Sequence, residues 1–239
     1  MTTSYRVQLG TSNAYLIRGD AGCILVDAGN SHQEKRFFRL LGQYGLRPED
    51  IRLIVVTHVH FDHVGSLSAI KAECRCPVMV HEKEHHLLKE AKLVFPRGTN
   101  LQGKGASFAA TQLAKYSSSM KAFKFEPVEA EIVVSGEDSL EKFGIAGKII
   151  PTPGHTAGSL SVLLADGQAF VGDLTANYAQ HNYAPHGLSS VFPPFADDGG
   201  ELLESWMKLL EAGAKTIAPG HGQTFSAEVL REEYGRRKR

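Results

Sequence analysis

The sequence predicts a layered α/β fold whose sheets are at least partly antiparallel, and three features carry that expectation. Short apolar runs bounded by Gly, Asp or Pro recur along the 239 residues; stretches of helical pattern lie between several of them; and one two-residue turn signal joins two of the runs.

The runs "CILVDAG", "LIVVTH", "CPVMVHE", "KIIPTPGH", "LSVLLADGQAFVGD" and "KTIAPGH" read as strands. Helical patterns occupy 31–44 ("SHQEKRFFRLLGQY"), 63–73, 82–93 and 199–212 ("GGELLESWMKLLEA"). Within "SVLLADGQAFVGD", Asp166-Gly167 between two strand-like runs is a hairpin signal, so the design is not purely doubly wound. Strand, hairpin and helix follow one another once in each half, which suggests two related halves packed face to face. Residues 95–127 break the rhythm with a glycine-rich start and one amphipathic pattern near 106–124. They read as an insertion in a single domain, either a lid over the strand ends or a spacer.

Hydrophobic residues make up 42% of the chain, enough to bury a full core in one domain or in two tightly fused halves. Lys plus Arg and Asp plus Glu both number 26, so no global field points to nucleic acid or an anionic membrane. The C-terminal "RRKR" reads as a solvated tail. No run reaches the roughly 18 apolar residues of a membrane span, and "MTTSYRVQLG" lacks a leader pattern; both predict a soluble, cytoplasmic protein. Cys23, Cys74 and Cys76 read as reduced thiols at strand positions, because C-x-C is not the spacing of a zinc knuckle or redox pair. The expected partner is a small-molecule substrate, with a homodimer left open.

The chemistry gathers where strands stop. In "THVHFDHVGS" (57–66), His58 and His60 are two apart in an extended segment, so they project to the same side. Asp62 and His63 are neighbours at an expected helix start, so their side chains should diverge and serve different points. His155 in "IIPTPGHTAGS", Asp173 in "AFVGDLT" and His221 in "TIAPGHG" repeat one local pattern, an apolar strand followed at once by a glycine-flanked polar residue. If these strand ends share a sheet edge, the ligands converge, and the glycines let backbone approach an ion closely. Imidazole and carboxylate without thiolate suit Zn²⁺, with Fe or Mn as alternatives. Five histidines and two aspartates, one of them bridging, suffice for two ions. His81, His85 and His86 in "HEKEHH" read instead as ordinary hydrogen-bonding groups, and His32 as an exposed side chain at a helix start.

The motif H-x-H-x-D-H at His58, His60, Asp62 and His63, with His155 in "PGHTAGS", Asp173 in "VGDL" and His221 in "PGHG", resembles the signature of the metallo-β-lactamase superfamily of hydrolases. The likeness runs from about residue 10 to 225, in the direction of its glyoxalase II-like and lactonase-like branches. It implies a four-layer αββα sandwich with two metals at one edge of the sheets. By that likeness His58, His60 and His155 hold one zinc, Asp62, His63 and His221 the other, and Asp173 bridges them. Asp27 in "ILVDAG" matches a family aspartate acting from behind the ligands, although by itself it reads equally as a turn residue. A hydroxide shared by the ions would attack a carbonyl or phosphoryl centre, since metal binding lowers the pKa of water toward about 7. Asp62 would orient it and carry a proton to the leaving group.

Departures from the family patterns narrow the reading. The β-lactamases themselves do not use the bridging aspartate, flavin-partnered di-iron reductases usually carry Glu where His60 stands, and this chain ends soon after His221, where the glyoxalase II type adds a helical domain. Acyl-homoserine lactonases place a tyrosine soon after the bridging aspartate; the third residue on is Ala176 here, with Tyr178 and Tyr183 a little further along. The superfamily's nucleases carry RNA-binding additions, which a chain without a basic surplus does not match. The loop 177–198, "NYAQHNYAPHGLSSVFPPFADD", is expected to wall the pocket, with Tyr178, His181, Tyr183 and His186 as candidate substrate contacts. The leading expectation is a dinuclear hydrolase of an ester, thioester or lactone of a small metabolite. A phosphodiesterase would want cations such as Arg97 or Lys104 near the pocket. A mononuclear iron oxygenase resembling persulfide dioxygenases would use only the first ligand set.

Overall fold

The computed structural model describes residues 2–20, 22–95, 97–99, 103–105, 107–108, 123–177 and 191–239. The first sheet holds β1 (Thr3–Leu9), β2 (Ser12–Arg18), β3 (Cys23–Val26), β4 (Ile51–Val55), β5 (Val78–His81) and β6 (Ile132–Val134), side by side in that order. Its first three strands form an antiparallel meander and the rest run parallel. Parallel neighbours need crossovers, supplied by α1 (Glu34–Gln43), then α2 (Phe61–Val64) with α3 (Leu67–Cys74), then α4 (Glu82–Lys89).

The second sheet contains β7 (Asp138–Ser139), β8 (Gly147–Pro151), β9 (Leu160–Leu164) and β10 (Gln168–Phe170). A short pair, β11 (Ala176–Asn177) with β13 (His221–Gly222), stands apart from it. Helix α5 (Gly199–Glu211) leads to β12 (Thr216–Ala218), which joins β10 in parallel; β14 (Phe225–Ser226) and α6 (Ala227–Arg237) close the chain. The Asp166-Gly167 turn joins β9 to β10 antiparallel, with Gly167 at φ +95° as such a turn requires.

Strand β3 is an unbroken apolar run because both of its faces are buried, and β4 and β9 are apolar apart from the exposed Arg52 and the buried Ser161. Ile24, Val26, Leu53 and Val55 meet Ile149, Val162, Leu164 and Phe170 between the sheets. Their alternates, Leu25 and Ile54, belong instead to a core with Phe37, Leu41, Leu67 and Ile70 of α1 and α3. Beyond the second sheet, Leu163, Ala169 and Ile217 pack with Leu202, Trp206 and Leu209 of α5 and Leu230 of α6. Three cores therefore separate four layers, helix, sheet, sheet and helix. Helix α5 starts at Asp198, whose carboxylate accepts from the backbone N–H of Gly200 and Glu201.

Several sequence expectations shift. His32 is exposed as expected, but at φ +64° it stands outside the helix, which begins at Glu34. The pattern at 63–73 is two helices, α2 and α3, with Gly65 and Ser66 between them; Gly65 lies against the backbone of Ser31, where a Cβ would sit 2.2 Å from the Ser31 nitrogen. All three cysteines are free and buried, but only Cys23 lies on a strand. Cys74 ends α3, which Arg75 caps in the left-handed conformation, and Cys76 precedes β5. The basic C-terminus is not a loose tail either: Arg236 and Arg237 form the last turn of α6, where Arg237 pairs with Glu233 at 2.8 Å and lies over the Phe192 ring at 3.9 Å. The helix expected near 106–124 lies largely outside the described residues. Among the described residues, no helix is long and apolar enough to cross a membrane.

Candidate metal centre

Five loops reach one rim of the two sheets, and hydrogen bonds behind them fix which atoms face inward. Asp27 leaves β3 at φ +62°, a left-handed turn that aspartate tolerates, so it is both a turn residue and a positioning group. Its Oδ1 accepts from the Thr57 backbone N–H at 2.8 Å, and its Oδ2 accepts from the Thr57 hydroxyl and from His63 Nδ1–H, each at 2.8 Å. The Thr57 hydroxyl in turn lies 3.0 Å from His58 Nδ1 and can accept its proton. One buried carboxylate thus turns the Nε2 lone pairs of two imidazoles inward.

The other loops use the same device. His155 donates from Nδ1 to the Phe195 carbonyl at 3.0 Å, and His221 from Nδ1 to the Thr11 carbonyl at 3.0 Å. The loop before His221 is held by the first sheet: Tyr15 and Asn13 of β2 donate to the Pro219 carbonyl at 2.7 and 3.0 Å. Gly220 has no room for a side chain, since a Cβ there would stand 2.4 Å from Asp173 Oδ1 and 2.7 Å from His63 Cε1.

The inward atoms are close. His60 Nδ1 and His155 Nε2 are 3.1 Å apart; His63 Nε2 is 3.3 Å from Asp173 Oδ1; His221 Nε2 is 3.3 Å from Asp62 Oδ2 and 3.4 Å from Asp173 Oδ2. Three overlapping trios have ligand atoms within 4.8 Å of one another: His58, His60 and His155; His58, His63 and Asp173; Asp62, His63 and His221. The structure therefore brings together all seven residues expected at the centre. Asp62 and His63, neighbours on the single turn of α2, both reach His221, as the resemblance implies, and His63 also belongs to the trio with His58 and Asp173.

A cation fits this arrangement. His58 Nε2, His63 Nε2 and Asp173 Oδ1 are buried and make no hydrogen bond, and an orphaned buried polar atom costs about 1–3 kcal/mol. Three lone-pair acceptors at one place find a common partner in a metal ion. Burial, reinforced by neighbouring imidazoles, depresses His58, and it pushes His60 down to about 3, so both are neutral near pH 7. For His63, burial also lowers the pKa, but the carboxylates of Asp173 and Asp27 prevail and hold it up at about 10, so in the metal-free protein its Nε2 keeps a proton facing Asp173 Oδ1 at 3.3 Å, which a bound cation must displace. Against burial, His221 and His63 hold the Asp62 and Asp173 carboxyls below their usual range, in the ionised form a metal needs.

Over this cluster lies a cavity of about 420 Å³, lined at its base by His60, Asp62, His155, Asp173 and His221. Phe61, Phe95 and Phe123 form one wall and Pro193, Pro194 and Phe195 another. Both ends of the 95–127 insertion, and the end of the 177–198 loop, thus reach the pocket. Tyr178, His181, Tyr183 and His186 lie outside the described residues. Arg97 and Lys104 are exposed and do not line the cavity. His81 and His85 are hydrogen-bonded away from the site, to the Lys83 N–H and to Glu129.

Sequence reasoning missed Glu84 in "HEKEHH", where the histidines drew attention. This carboxylate is buried, and its Oε2 accepts from the backbone N–H of Val59, between His58 and His60, at 2.9 Å. Its signal is helical spacing: Glu84 shares the buried face of α4 with Leu88 at i+4.

An αββα sandwich carrying an imidazole and carboxylate cluster at its rim defines a class of metal-dependent hydrolases. The sequence profile of the metallo-beta-lactamase superfamily matches residues 7–221, and the chain belongs to that family. It is 32% identical over 154 residues to a "Probable metallo-hydrolase MJ0888" of Methanocaldococcus jannaschii, a match covering 64% of this chain and 62% of that relative, under two thirds of its length. It is 26% identical to the human "Acyl-coenzyme A thioesterase MBLAC2", covering 92% of this chain and 76% of that protein. Among solved structures it is similar in fold to TTHA1623 in a di-iron-bound form, with a TM-score of 0.65 at 24% identity over 96% of this chain and 98% of that one.

Proposed function

We propose that this protein is a dinuclear metal hydrolase acting on an ester, thioester or lactone of a small metabolite. The observation that carries the reading is the set of buried, unbonded acceptors on His58, His63 and Asp173, within two further ligand groups that complete it. His58, His60 and His155 would hold one ion, Asp62, His63 and His221 a second, with Asp173 between them; zinc suits the donor set, and iron or manganese are the alternatives. When bound, the metals supply a Lewis acid for the carbonyl oxygen and an ionised water at neutral pH.

The protein's own groups do the rest. Asp62 stands where the cluster meets the cavity, 13% exposed, and is held ionised; it can take a proton at Oδ and hand it to the departing oxygen or sulfur as the acyl bond breaks. The aromatic and proline walls limit water to the cluster side of the substrate. A phosphodiester substrate is disfavoured because, among the described residues, no Lys or Arg lines the cavity.

The test is a screen of zinc-loaded protein, metal content measured, against p-nitrophenyl esters, thioesters, lactones and bis-p-nitrophenyl phosphate. The expected result is turnover of carbonyl substrates that chelation abolishes and that His58→Ala lacks. A full rate in His58→Ala, or a preference for the phosphodiester, would overturn the reading.

A further inference from the structure

We infer that the cavity above the cluster is an acyl pocket selecting an apolar acyl group of medium length, with Phe61, Phe123 and Phe195 as the residues that set the selection. The inference rests on the hydrolase reading for the identity of the reacting group, and on the cavity itself for the identity of what lies beside it.

Three observations carry it. First, among the described residues the walls are apolar while the base is polar: the charged and imidazole groups of the described lining all belong to the seven-residue cluster, and the rest of that lining is aromatic or aliphatic apart from Thr11 and Ser107. A ligand with phosphate, carboxylate or sugar groups away from the carbonyl would desolvate them there without described charged partners. Second, the rings are half-buried and form a continuous surface. Phe61 and Phe123 lie 4.5 Å apart between centroids, and Phe95 stands 6.1 Å from Phe123. Third, the volume of about 420 Å³ holds about fourteen groups of the size of a water, at about 30 Å³ each. An octanoyl or decanoyl group, about nine or eleven groups of that size, fits in that space with its carbonyl on the cluster and leaves room for water at the cluster side; an acetyl group leaves most of the apolar wall wet.

The acyl side is assigned to the pocket because it must stay in place while the leaving group departs. Phe61 also adjoins Asp62 in the chain, so the wall and the proton-carrying group are fixed by the same turn of helix.

The experiment has two arms. In the first, affinities of butanoate, hexanoate, octanoate and decanoate for the zinc-loaded protein are measured by calorimetry, which needs no turnover. Burial of each methylene is worth about 0.8 kcal/mol, so affinity should rise about fourfold per methylene at most, levelling off near decanoate. Phe61→Ala, Phe123→Ala and Phe195→Ala should each reduce that gain. In the second arm, kcat/KM is measured for esters with varied acyl chains and one leaving group, then for acetyl esters of varied alcohols. The acyl series should climb and the alcohol series stay flat. Flat carboxylate affinities, succinate binding as tightly as hexanoate, or a climb confined to the alcohol series would overturn the inference. Chain-dependent binding with no turnover of any ester, thioester or lactone would leave the pocket assignment standing and remove the hydrolase reading instead.

Discussion

Replacing Asp27 by Asn tests whether one carboxylate behind the rim sets the metal affinity of the imidazoles in front of it. The substitution keeps the backbone, because Asn adopts the left-handed φ of +62° as readily as Asp. It also keeps Oδ1 as acceptor for the Thr57 N–H. What changes is the Oδ2 side, where the wild-type oxygen accepts from both the Thr57 hydroxyl and His63 Nδ1–H at 2.8 Å. An amide nitrogen can only donate there, so His63 must either leave Nδ1–H facing another donor or move its proton to Nε2. The second route blocks the lone pair that points at Asp62, His221 and Asp173.

Losing such a partner behind a ligand costs about 10- to 100-fold in metal affinity, or about 1.4–2.7 kcal/mol. The loss should fall on the ion held by His63, while the ion held by His58, His60 and His155 changes less, since the Thr57 hydroxyl can still orient His58. Competition with a chromophoric chelator resolves two stepwise affinities and so reports which site weakened. Wild-type affinity at both sites in Asp27→Asn would refute the reasoning. Equal weakening of both sites would show that Asp27 acts on the loop as a whole and not through His63.

Other expectations follow from the same geometry. Asp62→Asn should lower kcat by at least about 100-fold while the melting temperature of the metal-free protein moves little, measured by steady-state kinetics beside calorimetry. Glu84→Ala strands the Val59 N–H and should cost about 1–3 kcal/mol, a fall of about 2–12 °C in melting temperature; Glu84→Gln, which keeps an acceptor, should recover most of it. Gly220→Ala forces a Cβ to within 2.4 Å of Asp173 Oδ1 and should lower both stability and metal content, measured by metal analysis. The metal-free protein should be most stable near neutral pH. His60 titrates at about 3 when folded, below its unfolded value of 6.5, so the unfolded state binds more protons between those limits and stability falls as pH drops through them. His63 titrates at about 10, above its unfolded value, so its contribution is fully present below pH 6.5 and is lost as pH rises toward 10. Urea midpoints across pH 4–9 would expose a monotonic profile, the result contrary to both.

How far the sequence discloses this site depends on whether a feature is local. The strand ends carrying His155, Asp173 and His221 are local, since an apolar run followed by a glycine-flanked polar residue says both that a strand stops and that backbone must turn there, and His58 and His60 are marked by their own close spacing after an apolar run. The hairpin at Asp166-Gly167 is local too, because positive φ at one residue decides it. By contrast, the capping of α3 by Arg75 puts Cys74 in a helix through a left-handed conformation that arginine does not advertise. The helical C-terminus is legible only once Arg237 is seen over Phe192 and beside Glu233. Glu84 is harder still, because its partner is a backbone N–H on a loop 25 residues away, and no composition signal marks a buried backbone donor.

The same distinction explains why the rim is a good place for ions. Each ligand loop belongs to a strand whose position is set by a core on both faces, so its inward atom inherits the rigidity of the sheets. The remaining freedom, rotation of the imidazole about its own bonds, is removed at His58, His63, His155 and His221 by a hydrogen bond from the far ring nitrogen. Three of the acceptors for those bonds come from a different segment than the ligand: Asp27 for His63, Phe195 for His155 and Thr11 for His221. Metal geometry is therefore coupled to the docking of one sheet on the other, with Tyr15 and Asn13 of the first sheet gripping the loop of His221 from the second. On this argument Tyr15→Phe, which touches no ligand, should weaken the ion held by His221 more than the ion held by His58, His60 and His155. Stepwise chelator competition with identical affinities in Tyr15→Phe and wild type would show that the sheets' packing alone positions the loop.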